Sequence, residues 1–126
     1  MKIAAIIARS LLGLAFVVFG FNAFHPFMPM PTLSGVPLEF FTALAIHSSY
    51  MKVVAACQII GGLCALSGRF TPLGLTILGA IGVNILTYHL TINSEGLGMA
   101  AVFALLEVFC LYAYRANFAG IFAAAE

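Results

Sequence analysis

Charge is what this sequence has least of. Only 7% of its 126 residues are Asp, Glu, Lys or Arg, against roughly 25% in a soluble domain. Hydrophobic residues make up 63%. That imbalance excludes water as the main solvent. The net charge is +1 and no basic run occurs, so a nucleic-acid footprint is excluded too. Cysteine is sparse as well. Cys57, Cys64 and Cys110 form no CxxC pair and no Cys/His cluster with zinc spacing. Cys57 and Cys64 share a helix face but sit about 10 Å apart along it, too far for a disulfide. All three lie in apolar runs and read as buried small hydrophobes.

What is abundant is long apolar sequence. A membrane-crossing helix needs about 20 mostly apolar residues, and four windows qualify: 3–24, 50–67, 73–92 and 97–114. The first follows Lys2 and imitates a signal peptide. Arg9 interrupts it and no clean cleavage site follows, so it reads as a retained span. "SGRFTP" separates the second and third spans, with Gly68 as a stop and Pro72 as a start, and "NSEG" separates the third and fourth. Such short links predict antiparallel neighbours. The expected fold is all-α, a single 1–126 domain built as a polytopic membrane four-helix bundle.

The first connection, "HPFMPMPTLSGVP", carries Pro26, Pro29, Pro31 and Pro37 and excludes a regular helix. In "LEFFTALAIHSS" that follows, Leu38, Phe41, Leu44 and Ala45 lie near one helical face, predicting a short interfacial helix. Lys2, Arg9, Arg69 and Arg115 fall on one side of this topology and Lys52 alone on the other. The positive-inside rule therefore predicts a multi-pass protein of the bacterial inner membrane with both termini cytoplasmic. His25, His47 and His89 then lie near the outer face.

Glu107 stands near the centre of the fourth window. An ionised carboxylate in hydrocarbon costs several kcal/mol unless it is paired. At about 1.5 Å per residue, Arg9, Gln58 and Glu107 fall at similar depths on three different spans. Each also shares a face with small residues: Gly13 and Gly20 beside Arg9, Ala55, Gly62 and Ala65 beside Gln58, Ala100 and Ala104 beside Glu107. Small residues mark helix contacts in lipid, so the sequence predicts an internal Arg9–Glu107 pair with Gln58 nearby. Such a cluster serves either as a packing clasp or as a proton or substrate site. Alternatively, Arg9 snorkels to the surface.

A second polar set lies on the third span. Asn84, Tyr88 and Thr91 share a face, with His89 displaced from it. They read as interhelical hydrogen-bonding groups or as the lining of a ligand cavity, with Asn22 and His25 near its outer mouth. His25, Met28 and Met30 are weak candidates for a copper-type metal site. No second Met-rich segment supports them, and the stretch reads first as a rigid cap.

The segments "RSLLGLAFVVFGFNAF", "QIIGGLCALSGRFTPLGLTIL" and "VNILTYHL" resemble, in that order and across nearly the whole chain, the DoxX-like family of small bacterial membrane proteins. The resemblance implies a four-helix membrane bundle and a redox-associated role. A quinone or another small hydrophobic molecule would be its cofactor or ligand, and a redox protein its partner. A quinone needs an apolar slot with hydrogen-bond donors, for which Arg9, Gln58, Asn84, Tyr88 and His89 qualify. Gln58 stands where many relatives carry an acidic residue, so a shared proton role does not transfer to it. The chain shows no facing haem ligands and no iron–sulfur spacing, and whether it is an enzyme stays open. Two other functions fit the same residues. One is a non-catalytic anchor or partner subunit. The other is a small transporter, which with four spans would act as a homo-oligomer.

Overall fold

The computed structural model describes residues 2–30 and 32–125; Pro31 of the proline-rich connection lies outside them. The described chain is all-helical. Helix α1 spans Lys2–Phe24, α2 Val36–Phe41, α3 Tyr50–Ser67, α4 Thr71–Thr91 and α5 Leu97–Ala113. Helices α1, α3 and α4 are long and apolar enough to cross a membrane. Helix α5 has 17 residues and continues, after a bend of 80°, into a 3₁₀ segment, Arg115–Phe122. Large side chains such as Ile3, Leu14, Val53, Val83, Leu105 and Val108 are exposed on the outer surface. This outward apolar face suits lipid, and the molecule is a multi-pass helical membrane protein.

The boundaries have local causes. Helix α3 ends at Gly68, which takes the left-handed conformation at φ 76°, a cap that glycine adopts without a Cβ penalty. Pro72 occupies the first turn of α4, where its missing N–H costs nothing. Pro37 does the same for α2, so it opens a helix instead of prolonging the irregular stretch. The helix expected after the first connection is present, and it extends through a π-helical turn at Thr42–Ile46. Asn22 organises the start of that connection: its Oδ1 accepts hydrogen bonds from the backbone N–H groups of Phe27 and Met28 at 2.9 and 3.0 Å.

Four helices form a ring in which α1 packs on α3 and α5, and α4 packs on α3 and α5. The α1–α3 seam is set by small residues. A Cβ on Gly62 would lie 2.6 Å from the Gly13 carbonyl oxygen, and one on Gly13 would lie 2.7 Å from the Gly62 oxygen. Seven residues on, Gly20 meets Ala55 in the same way. Such close backbone approach gives dispersion contact where no hydrophobic force distinguishes helix from lipid. Leu12, Leu75, Leu78 and Cys110 fill the fully buried centre, and Phe16 and Phe19 hold Phe103 across the α1–α5 contact, with centroids 6.1 and 5.9 Å apart.

Candidate functional site

Arg9 is positioned by the α1–α3 seam. Its Nη1 donates to the carbonyl oxygens of Ala65 and Leu66 at 2.8 and 2.9 Å. These belong to the last turn of α3, whose carbonyls have no partner within the helix. A cation there also complements the negative end of the helix dipole. The fully buried Thr71 adds an O–H donor to the Ala65 oxygen at 3.1 Å. Arg9 is thus a helix cap supplied by a neighbouring helix. Sequence reasoning missed this role; the visible signal was an arginine on α1 at the level where "SGR" ends α3.

The expected Arg9–Glu107 pair is not made. Both Glu107 carboxyl oxygens and the Arg9 Nε are buried without a hydrogen-bond partner among the described residues. The reason is register. Glu107 faces Gly79 of α4, where a Cβ would sit 3.0 Å from its Oε1, and Gly61 of α3 meets Ile77 and Leu78 on the same stretch of α4. The α3 carbonyls held by Arg9 lie four to five residues beyond Gly61, about 7 Å further along the axis. Arg9 therefore finishes α3 instead of reaching Glu107. Gln58 is also separated from Arg9: its Cβ side packs against Gly20, two turns from the Arg9 contact. Depth counted from each helix's own end, Arg9 from Lys2, Gln58 back from Ser67 and Glu107 back from Arg115, fails here because α1 begins below the end of α3.

Gly79 explains how Glu107 is housed. The missing side chain on α4 leaves space for the carboxyl group, and Glu107 is 8% exposed. Burial without a partner costs about 1–3 kcal/mol for a polar group and more for a charge.

The polar residues of α4 are brought together. Asn84, Tyr88 and His89 line one cleft of about 660 Å³ between α3, α4 and the α2 segment. Its other walls include Phe40, Phe41 and Leu44 from the α2 segment and Tyr50, Met51 and Val54 from α3. The Tyr88 and Phe40 rings lie 5.1 Å apart, and His89 meets Tyr88 edge-on at 5.0 Å. Asn84 Nδ2 donates one hydrogen to its own-helix Ala80 oxygen at 2.9 Å, so its second N–H and its Oδ1 stay uncommitted. His89 Nδ1 is 3.0 Å from the Asn93 carbonyl. A carbonyl only accepts, so Nδ1 holds the proton, and in the neutral tautomer this leaves Nε2 as an acceptor. His89, expected off the polar face, joins it because it closes the helix end onto Asn93. Arg9, Gln58 and Glu107 do not line this cleft, and neither do Asn22 and His25.

The remaining candidates are scattered. His25 lies beside Phe21, with ring centroids 6.0 Å apart, and Met30 is exposed. Among the described residues no three His, Cys, Asp or Glu side chains gather closely enough for a metal ion. Of the cysteines, Cys110 is buried, but Cys57 is exposed and Cys64 only half-buried, because Cys57 faces outward from α3. No family model matches the chain, and no curated protein or solved structure matches it either.

Proposed function

We propose that the chain is a DoxX-like protein of the bacterial inner membrane, and that its cleft between α2, α3 and α4 holds a quinone or a similar small apolar ring compound. In this reading α5 and the segment after it complete a fourth span. Lys2, Arg9, Arg69 and Arg115 mark the cytoplasmic side. The observation that carries the proposal is Asn84. It stands mid-helix on a membrane span, is exposed, and lines an otherwise apolar cleft. An exposed amide at that depth is costly unless a ligand meets it.

The chemistry fits both redox states of such a ligand. The free Asn84 N–H and the phenols of Tyr88 and Tyr50 are donors for quinone carbonyls. Asn84 Oδ1 and His89 Nε2 are acceptors for a quinol hydroxyl. The Phe40 and Tyr88 rings offer faces against which a ring can lie. These residues bind and orient; the electrons would come from a redox partner.

Organic extraction of the detergent-purified chain, read by mass spectrometry, tests the proposal. A quinone-class compound is expected in the wild-type extract. Asn84→Leu and Tyr88→Phe each lower its occupancy by about two- to tenfold, one hydrogen bond's worth. An extract without any such compound, or equal occupancy in the wild type and both variants, refutes it.

A further inference from the structure

At the opposite end of the molecule a second cavity, of about 390 Å³, lies between the start of α1 and the end of α5. Its lining is Lys2, Ala5, Ile6, Arg9, Ala113 and Tyr114. Two of these six side chains are cations, one is a phenol and the rest are apolar; none is acidic. The Arg9 guanidinium is only partly satisfied. It gives Nη1 to the end of α3, while its Nε–H is buried with no acceptor. Among the described residues no carboxylate pairs with it; the Glu107 carboxyl oxygens have no hydrogen-bond partner. Arg115, the nearest other cation in sequence, is turned away: it donates to the Tyr112 carbonyl at 2.8 Å and lies over the Tyr112 ring.

We propose that this cavity binds a phosphate-type oxyanion, held by Lys2, Arg9 and the Tyr114 hydroxyl. Among the described residues neither cation is paired with a carboxylate, and an anion from outside the chain would supply the counter-charge. A planar guanidinium, a flexible ammonium and a phenolic O–H are the donor types that phosphate oxygens accept. Of the apolar lining, Ile6 is exposed on the outer surface of α1, Ala113 is half-buried and Ala5 is buried. A phosphodiester headgroup could enter there with its chains remaining in lipid. A free phosphate would use the same donors without that apolar wall. The proposal is independent of the quinone reading, since the two cavities share no residue.

The full chain in a nonionic detergent is titrated with short-chain phosphatidylglycerol, short-chain phosphatidylcholine and inorganic phosphate, with binding read by native mass spectrometry. Phosphatidylglycerol is expected to bind in preference to phosphatidylcholine. Competition by inorganic phosphate identifies the free ion as a sufficient ligand; its failure to compete assigns the site to the lipid headgroup. Lys2→Gln weakens phosphatidylglycerol binding about fivefold, and Tyr114→Phe about two- to threefold. Both variants leave the Arg9 cap of α3 untouched, so folding is preserved. Wild-type protein that binds neither anion, or a Lys2→Gln, Tyr114→Phe double variant that binds as the wild type does, overturns the proposal.

Discussion

Substituting Gly62 by alanine tests the seam on which the bundle is built. The new Cβ would stand 2.6 Å from the Gly13 oxygen, 2.7 Å from Val17 Cγ2 and 3.1 Å from the Val17 nitrogen. Two of these three atoms are backbone, so no rotamer change relieves the contact. Ordinary contact starts near 3.4 Å, and α1 must therefore retreat by about 0.8 Å. Overpacking of this kind costs about 1–3 kcal/mol, and a gap approaching 1 Å also forfeits up to about half of the dispersion energy along the seam. We expect a loss of about 2–3 kcal/mol. Gly82→Ala is the control, because its Cβ meets nothing within 4 Å. Cys110, with no exposed surface, provides the assay. In a Cys57→Ser, Cys64→Ser background in detergent micelles, its thiol reacts only when the bundle opens. Under fast reclosing the labelling rate follows the opening equilibrium. Gly62→Ala should label about 30- to 150-fold faster than its parent, and Gly82→Ala at the parental rate. Equal labelling of the two variants would refute the close α1–α3 contact.

Two further predictions use the same assay. Arg9→Met removes both hydrogen bonds to the end of α3 and should destabilise by about 2–4 kcal/mol; unchanged labelling would show that the cap contributes nothing. Glu107→Met removes a buried carboxyl that has no partner and should slow labelling, a gain of about 1–3 kcal/mol. A clear loss of stability would instead reveal a favourable contact at the carboxylate.

The fold class was legible in the sequence because hydropathy and helix termination are local properties. Apolar runs of span length, Gly68 and Pro72 at the α3–α4 turn, and the small-residue stripe of Gly13 and Gly20 each determine their own segment, whatever lies opposite. The short helix after the proline-rich connection was legible for the same reason. Asn84 and Tyr88 were also visible as one polar face, since four residues along a helix place side chains together irrespective of the neighbours.

Which groups meet across helices was decided only by the tertiary structure. Arg9, Gln58 and Glu107 have similar depths when each is counted from its own helix end, yet the helices are offset in register. The Gly13–Gly62 contact fixes α1 against α3, which delivers Arg9 to the Ala65 and Leu66 carbonyls and leaves Glu107 opposite Gly79. An offset of four to five residues, about 7 Å, exceeds the reach of a hydrogen bond. Side-chain pairing therefore depends on interhelical register, which no periodicity within a single helix records. The two cavities arise in the same way: one needs the α2 segment folded back over α3 and α4, and the other needs the first turn of α1 beside the last of α5.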